Sequence, residues 1–340
     1  MAAALTSPDA PDSVATPAPE IAVVCPTYRR SEQLRHLVTA LEAQTLDPNR
    51  FEVVVVDNAS GDGTGAVLAE LAAASPLRMR ILATEINRGP APARNLGWRA
   101  TAAPVVAFAD DDVLPAPDWL SAGLEALRRD PSIGVLQGRT ALPPGTPPFA
   151  QLAPWSVWRV IDGAGPFFEA CNIFYRRDAL VATGGFDEAI GWWGEDTDLG
   201  WKVLEAGWQR GFAPAATVVH QVEGRSVGWH VRQGLNDRKI VGIAAAHPAF
   251  RTEAFWRPWA FRDRDAVLAL ALVAAVAARR RPVAALAVLP YLWVARPTIK
   301  GRPALGRTGW VRHGAELVAV DTARLGGCLV GAVRHRTLVL

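Results

Sequence analysis

The sequence predicts an α/β protein with a mostly parallel sheet flanked by helices and an α-helical C-terminal extension. Short apolar runs alternate with helical segments from Glu20 to about residue 225, the order that builds a parallel sheet with right-handed crossovers. The strand runs are continuous in Val and Ile, as in strands covered on both faces. We therefore divide the chain into a disordered leader (1–19), an α/β domain (20–225) and a helical region (226–340).

The individual elements follow from apolar periodicity and from turn residues. Strands are predicted at Ile21–Cys25, Phe51–Val56, Arg80–Leu82, Val105–Ala109, Ile133–Gln137, Phe167–Tyr175 and Ala216–Val219. Helices are predicted at Ser31–Gln44, from the turn Asp57–Gly63 to about Ala74, and at Ala93–Ala102, Ala116–Arg129, Arg177–Ala182 and Glu195–Ala206. Residues 141–166, rich in Pro, Gly and Trp, form a long loop of the kind that is usually functional.

The charge distribution is uneven along the chain. Residues 1–250 carry 21 Lys and Arg against 28 Asp and Glu, whereas residues 251–340 carry 15 against 5. An acidic body with a basic tail argues against a nucleic-acid-binding protein and suits a tail resting on an anionic surface. The three cysteines are scattered and show neither a disulfide framework nor zinc-ligand spacing, which favours a reducing compartment.

Three consecutive carboxylates, Asp110–Asp112, follow the apolar run Val105–Ala109 directly. Adjacent like charges are costly where water is scarce unless a cation neutralises them. The carboxyl end of a buried parallel strand is also where open α/β sheets bind ligands. Because alternate residues of an extended chain point the same way, we expect Asp110 and Asp112 to hold one divalent ion. The alternative is a solvated turn rich in aspartate.

Three further segments are expected at the same edge of the sheet. Two of these segments, Cys25–Arg30 and Asp57–Ser60, contain an aromatic ring that can stack on a base and a carboxylate that can accept a hydrogen bond from a base N–H. Together they predict a nucleotide pocket. Asn87–Asn95 brings two arginines to a helix N-terminus, which suits a diphosphate. For the segment that begins at Asp57, the alternative is a turn with a helix cap. For Asn87–Asn95, the alternative is that both arginines are ordinary surface residues. Gly61–Gly65 matches neither a phosphate loop nor the dinucleotide fingerprint, which disfavours a dehydrogenase.

A second carboxylate group lies in the segment Gly191–Leu199, where Glu195 and Asp196 follow paired tryptophans. Tryptophans that lower local hydration would push a carboxylate pKa upward, as a general base requires. Acidic residues also favour helix N-termini for dipole reasons alone. His220 follows a strand at the ligand-binding edge and is a candidate metal ligand, although a lone histidine is more often structural.

The order of these motifs resembles that of the family 2 glycosyltransferases with the GT-A fold, over roughly residues 20–225. The motifs are Val24–Arg30, Val55–Gly63, Asn87–Gly89, Ala93–Asn95, Asp110–Asp112, Thr183–Asp187 and Gly194–Leu199. The resemblance implies a metal-dependent inverting transfer of a sugar from a nucleotide-diphosphate donor to a hydroxyl. Its implied site residues are Pro26, Tyr28 and Asp57 for the nucleotide, Arg94 for the diphosphate, Asp110 and Asp112 for metal and donor, Asp196 as base and His220 as third metal ligand.

The metal expected at such a site is Mg²⁺ or Mn²⁺, because its ligands are hard oxygens, and a contact from His220 would favour Mn²⁺. The resemblance implies a glycan or lipid-linked acceptor from the cell envelope. Cys171 stands where relatives often carry Ala near the acceptor, which leaves the acceptor undetermined. The alternatives are a soluble transferase that decorates a small molecule and a non-catalytic protein that binds sugar nucleotides.

The C-terminal region has features of a membrane-associated segment. Phe255–Arg262 mixes aromatic residues with arginine, as membrane interfaces do. The apolar runs Ala266–Ala278 and Val283–Val294 are too short to span a bilayer, which needs about 20 apolar residues. We favour a helical hairpin on the inner, cytoplasmic face of the cell membrane, with Arg279–Arg281 at the headgroups. The alternative is a soluble helical subdomain or oligomer contact. A final helix is predicted at His313–Val333.

Overall fold

The structure, a computed structural model, describes residues 18–280, 283, 286, 288–300 and 306–339. The predicted leader falls almost wholly outside this description, since residues 1–17 are not among the described ones. The alternation of strands and helices predicted from Glu20 onward is confirmed.

Eight strands form the central sheet, in the order β3-β2-β1-β4-β8-β6-β9-β5, and two short strands form a separate ribbon. The strands are β1 (Ile21–Thr27), β2 (Phe51–Asp57), β3 (Met79–Ala83), β4 (Val105–Ala109), β5 (Val113–Pro115), β6 (Ile133–Ala141), β7 (Ser156–Val157), β8 (Asn172–Arg176), β9 (Gln209–His220) and β10 (Glu223–Gly224). The ribbon pairs β7, from the long loop, with β10.

The sheet is parallel over its first half, where β1 pairs with both β2 and β4, and β2 with β3. β8 then runs antiparallel between β4 and β6, and β5 runs antiparallel to β9. These reversals were not predicted, because a strand such as β8, buried along most of its length, has the same continuous apolar pattern in either direction. They place the end of β9 beside the segment that follows β4.

Helices cover both faces of the sheet and build the C-terminal region. They are α1 (Ser31–Glu42), α2 (Thr64–Ala74), α3 (Pro90–Arg99), α4 (Trp119–Arg129), α5 (Arg177–Thr183), α6 (Glu195–Glu205), α7 (Val227–Leu235), α8 (Asp237–Ala246), α9 (Pro248–Ala254), α10 (Asp263–Ala277), α11 (Leu289–Lys300) and α12 (Gly306–Arg334). Short 3₁₀ turns lie at Pro48–Arg50 and Phe149–Gln151.

Two boundaries differ from the prediction for reasons visible in the backbone. The strand expected from Phe167 begins only at Asn172, because Phe168 has a left-handed φ of 53° that interrupts the extended chain. The helix expected from Ala93 begins at Pro90, because Gly89 makes the turn with a φ of 100° and a proline suits the first helical position.

The strands alternate their side chains between two apolar cores, one on each face of the sheet. Val24, Val54 and Phe108 face one core, and Val23, Val53 and Val55 face the other. The first core also contains Ile240 of α8 and Phe250 of α9. The C-terminal region therefore begins as part of the same packed body as the sheet.

The remaining C-terminal helices pack as a separate group that includes Leu268, Tyr291 and Leu317. Part of the predicted run Val283–Val294 lies outside the described residues, and the helix described there is α11. Within the described part of the chain, every helix is too short or too polar to cross a bilayer.

His247, at the end of α8, fastens the C-terminal region to α6. Its ring nitrogens lie 2.8 Å from Glu205 Oε1 and 3.1 Å from Asp198 Oδ1, and the residue is 3% exposed. Burial lowers the pKa of His247, but the hydrogen bonds to Asp198 and Glu205 outweigh burial and raise it above the ordinary histidine value. The charged imidazole is therefore favoured in the folded state.

This arrangement predicts a pH-dependent stability. When the pKa of a group is higher in the folded state, its protonated form stabilises the fold. This stabilisation is fully present below the unfolded-state pKa of about 6.5 and is lost as the pH rises through the folded-state pKa. We expect His247→Gln to lose more unfolding free energy at about pH 5.5 than at about pH 9, measured by urea unfolding. His36→Gln, an exposed histidine on α1, serves as control and changes stability little at either pH. An equal loss from His247→Gln at both pH values would contradict this assignment.

Candidate active site

Arg94 joins the two carboxylate groups that the sequence places far apart. It lies on α3, is 4% exposed, and donates from Nη2 to Asp110 Oδ1 and from Nη1 to Glu195 Oε1, both at 2.8 Å. Asp110 follows β4 and Glu195 begins α6, so one guanidinium holds three elements together. Asp110 of the aspartate triplet therefore lies beside the Glu-Asp pair and lines the same cavity.

The aspartate triplet lies in a turn between β4 and β5, so the expectation that alternate residues of an extended chain point the same way does not apply. Asp111 is buried and accepts from Thr27 Oγ1 at 2.7 Å. Burial raises the pKa of Asp111 to about 7, although Arg30 and Thr27 oppose the shift. Arg30 also donates to Asp112 Oδ2 at 2.6 Å. The middle aspartate is thus tied to β1, Arg30 pairs with both Asp111 and Asp112, and Asp110 pairs with Arg94.

His220 and Asp112 come together because β5 pairs with β9, which sets His220 opposite Val113. His220 Nε2 lies 3.7 Å from Asp112 Oδ1, a buried oxygen without a hydrogen-bond partner. His220 Nδ1 lies 2.8 Å from the carbonyl of Gln221, and a carbonyl can only accept. Nδ1 therefore carries a proton, and in the neutral imidazole the lone pair is on Nε2, the nitrogen that lies near the unpaired carboxylate oxygen.

A carboxylate oxygen and an imidazole nitrogen are both ligand types of divalent metal ions, so this pair of atoms is a candidate for sharing one cation. Asp110, the other predicted ligand, is held by Arg94 instead. Among the residues described by the structure, no three or more His, Cys, Asp or Glu side chains are grouped to hold a metal ion. Asp112 and His220 therefore lie close together, whereas Asp110 is paired with Arg94.

Asp196 lies in the first turn of α6 and lines an open cavity. Its Oδ1 accepts from the Thr197 amide at 2.8 Å and its Oδ2 from the Ala170 amide at 3.3 Å. Burial raises the pKa of Asp196, against the opposing charge of Arg94 and these backbone donors. Burial also raises the pKa of Glu195, to about 7, but Glu195 is enclosed and held by Arg94. Both carboxyl groups line the cavity, but Glu195 is paired with Arg94 whereas Asp196 accepts from backbone amides.

Two cavities meet at Arg94. The first, of about 280 Å³, is lined by Pro26, Tyr28, Asn58 and the aspartate turn. The second, of about 460 Å³, contains Asp196. The residues lining both cavities are Pro90, Arg94, Asp110 and Trp192. The two spaces thus share a wall. Asp110 lines both, Asp111 and Asp112 line the first, and Glu195 and Asp196 line the second.

The predicted nucleotide residues are only partly brought together. Pro26 and Tyr28 line the first cavity, and the guanidinium of Arg29 lies over the exposed Tyr28 ring. Asp57 is not among the lining residues; its Oδ1 accepts from the Ser60 amide at 3.0 Å and so closes the turn after β2. Asn58, its neighbour, lines the cavity instead and donates to the Gly89 carbonyl at 2.9 Å.

Several lining residues were not singled out from the sequence. Arg30 lies inside a predicted motif, and Arg159 lies in the loop that was expected to be functional, so both carried a signal. Asp237, Phe261 and Arg262 line the second cavity from the C-terminal region, far along the chain. No local pattern connects those three residues to Asp196, because only the packing of α8 against α6 brings them close.

Known proteins are similar to this chain in both sequence and fold. Residues 22–182 match the family described as Glycosyl transferase family 2. The chain is 30% identical over 240 residues to the pre-mycofactocin glycosyltransferase of Mycobacterium tuberculosis, covering 67% of this chain and 48% of that protein. It is 28% identical over 235 residues to the N-acetylglucosaminyl-diphospho-decaprenol L-rhamnosyltransferase of the same organism, covering 58% of this chain and 75% of that protein. The chain thus spans about half the length of the first of these relatives.

A solved structure extends the likeness over most of the fold. The mannosyltransferase PcManGT from Pyrobaculum calidifontis, solved with GDP-Man and Mn²⁺, superposes with a TM-score of 0.61 at 25% identity, covering 91% of this chain and 88% of that one. The mixed sheet, its flanking helices and the C-terminal helices correspond to a GT-A glycosyltransferase. The chain therefore belongs to glycosyl transferase family 2.

Proposed function

We propose that this protein is a metal-dependent, inverting glycosyltransferase that moves a sugar from a nucleotide-diphosphate donor to a hydroxyl of a lipid-linked or cell-envelope glycan. The observation that carries the proposal is the wall shared by the two cavities, where Arg94 holds Asp110 on one side and Glu195 on the other. A donor in the first cavity and an acceptor in the second would meet at that wall.

The donor is assigned to the first cavity. Pro26 and Tyr28 offer an apolar surface and a ring for the nucleotide base, and Asp57 supports the rim by closing the adjacent turn. Arg94 brings a buried positive charge close to the diphosphate while it holds Asp110. The complex of PcManGT with GDP-Man supports a nucleotide-sugar donor here.

The metal site is assigned to Asp110, Asp112 and His220. Its support is the unpaired Asp112 oxygen that faces His220 Nε2, together with the Mn²⁺ in PcManGT. A bound Mg²⁺ or Mn²⁺ supplies positive charge for the leaving diphosphate. The imidazole nitrogen tilts the choice towards Mn²⁺. Arg30 offsets the remaining charge of Asp111 and Asp112 from the opposite side.

Asp196 is assigned as the general base. Its carboxylate is fixed by two backbone amides yet lines the cavity, so it can take a proton from an acceptor hydroxyl. The deprotonated oxygen then attacks the anomeric carbon from the face opposite the diphosphate, which inverts that centre. The raised pKa of Asp196 makes it a stronger proton acceptor than a solvated aspartate.

We expect Asp196→Asn to lower transfer by at least about 100-fold, because the amide cannot accept the hydroxyl proton. Binding of the nucleotide sugar, measured by calorimetry, stays unchanged, since the first cavity is untouched. Asp178→Asn is the matched control, because Asp178 also lies in the first turn of a helix but is exposed on α5. Wild-type turnover by Asp196→Asn would remove this residue from the mechanism.

Metal binding can be measured without turnover. We expect Asp112→Asn and His220→Gln each to weaken Mn²⁺ binding in the presence of a nucleoside diphosphate by about 10-fold or more, read from the Mn²⁺ electron paramagnetic resonance signal. Asp118→Asn and His36→Gln are the controls, because both side chains are exposed and lie outside the cavity lining. Wild-type Mn²⁺ affinity in both test variants would refute the ligand assignment.

The C-terminal helices are assigned to the surface of a membrane, on its inner face. Leu270, Val273 and Val276 of α10 are 53%, 68% and 67% exposed, and Trp293 of α11 is 71% exposed. Arg279 and Arg280, both exposed, follow α10. Exposed apolar side chains with neighbouring arginines suit an interface with anionic lipid headgroups.

We expect the protein to co-sediment with vesicles that contain anionic lipid, and the double variant V273E/V276E to lose most of this binding, because it replaces apolar contact with charge that the lipids repel. Val181→Glu on α5 is the control, since Val181 is 60% exposed but belongs to the α/β domain. Equal sedimentation of the wild type with and without vesicles would rule out the membrane assignment.

A further inference from the structure

Several carboxyl oxygens in the lining of the second cavity have no partner. Glu195 is 4% exposed, and while its Oε1 accepts from Arg94, its Oε2 is buried without a hydrogen-bond partner among the described residues. Glu169 lines the same cavity. Its carbonyl accepts from Gln137 at 3.1 Å, but no other residue in the described part of the chain forms a hydrogen bond or an ion pair with its carboxyl group. Because ionised carboxyl groups only accept hydrogen bonds, Glu169, Glu195 and Asp196 offer acceptor oxygens to a ligand that can donate.

Glu169 reaches the cavity from a strained part of the backbone. Phe168, the residue before it, has a left-handed φ of 53°, which is uncommon for a bulky residue. The Phe168 ring is buried against Gly200 of α6, where a Cβ would come within 2.1 Å of the ring, and it packs edge-on to Trp201. Packing of the ring thus holds the backbone in this conformation and fixes the place of Glu169. Strain of this kind persists where the surroundings impose it and is typical of functional sites.

The acids of the second cavity outnumber its arginines. The lining contains five acids and three arginines. Three ion pairs hold two of the arginines: Arg94 with Asp110 and with Glu195, and Arg262 with Asp237. The third, Arg159, lies 5.8 Å over the Trp193 ring and has no acid within ion-pair distance in the described ranges. Glu169 and Asp196 thus face one open arginine, and one further positive charge would balance them.

The surroundings of Glu169 favour a cation over a neutral or anionic ligand. Burial raises the pKa of Glu169, and the charge of Asp196 adds to the rise, while its own amide and Arg159 oppose it. A cation beside Glu169 would offset the burial and the repulsion. The cavity is also lined by four aromatic side chains, whose ring faces attract cations: Phe167, Trp192, Trp193 and Phe261. An ammonium group, with three donors and no acceptor, fits a lining of this kind.

We propose that the acceptor is an amino sugar whose protonated amine binds at Glu169, beside the hydroxyl that Asp196 deprotonates. Glu169 then determines specificity for the acceptor and takes no part in the proton transfer. The inference rests on the proposed function for the chemistry at Asp196, but the cation site rests on the lining of the cavity alone. A neutral sugar could fill the same space, but its hydroxyls would leave the charges of Glu169 and Asp196 unbalanced.

The cation site is tested with three monosaccharides that differ only at the second carbon. Glucosamine carries an ammonium group there, glucose a hydroxyl and N-acetylglucosamine a neutral amide. At about pH 6.5, where such an amine is protonated, we expect glucosamine to bind the full chain about tenfold more tightly than either neutral sugar, because a hydrogen bond between charged groups is worth a factor of about that size. Binding is measured by ligand-observed nuclear magnetic resonance titration.

Glu169→Gln keeps the shape of the side chain and removes its charge. We expect this variant to reduce the preference for glucosamine over glucose to about twofold or less. Glu42→Gln is the matched control, because it changes the net charge equally but lies exposed at the end of α1, outside the cavity lining, and it keeps the preference of the wild type. Thermal unfolding of both variants shows whether the loss is local.

The wild type alone can overturn the inference, whether or not Glu169→Gln folds. Glucosamine that binds no more tightly than glucose, including the case in which neither sugar binds, contradicts the cation site. A full preference retained by folded Glu169→Gln, or a preference lost equally in Glu42→Gln, also contradicts it, because the attraction would then come from the overall charge of the protein or from another site.

Failure of this inference and failure of the proposed function give different results. Slow, metal-dependent hydrolysis of a nucleotide sugar without any preference for glucosamine keeps the transferase and rejects the amino-sugar acceptor. A preference for glucosamine that Glu169→Gln abolishes, without hydrolysis or transfer of any nucleotide sugar, keeps the cation site and rejects the proposed transfer chemistry.

Discussion

The site depends on one buried guanidinium. Arg94 is enclosed on α3 and neutralised by Asp110 and Glu195, and the two carboxylates raise its pKa despite the opposing effect of burial. Removing one partner of such a buried pair typically costs about 3–5 kcal/mol, because the other charge remains without compensation. The three elements that carry these side chains are therefore fixed relative to one another, and the two cavities open on either side of that junction.

The local part of the site could be predicted from the sequence, since it follows from where strands end and helices begin. Asp110–Asp112 had to lie at the end of β4, and Asp196 had to lie at the start of α6. Individual orientations could not be predicted. Asp111 points to Thr27 because β5 leaves the turn to pair with β9, about a hundred residues away, and Asp57 closes its own turn while Asn58 reaches the cavity.

The contribution of the C-terminal region to the site could not be predicted from local sequence patterns either, because it depends on contacts between residues far apart in the chain. Charge and composition indicated a basic, partly apolar tail, and the structure does expose apolar side chains there. Nothing in a run such as Phe255–Arg262 indicates that its end will line the cavity of Asp196. That placement depends on α8 and α9, whose apolar residues complete a core begun by the sheet, and on the contacts of His247 with α6.

The contrast between Glu195 and Asp196 shows how one helix start produces two roles. Both carboxyl groups have pKa values raised by burial, and both lie at a helix N-terminus that favours negative charge. Glu195 is committed to Arg94, so its charge maintains the junction. Asp196 is oriented by the backbone amides of Ala170 and Thr197 and by the Thr197 hydroxyl, which are uncharged donors. Because Asp196 combines a raised pKa with a place in the cavity lining and is not paired with Arg94, we propose it rather than Glu195 as the group that takes the proton.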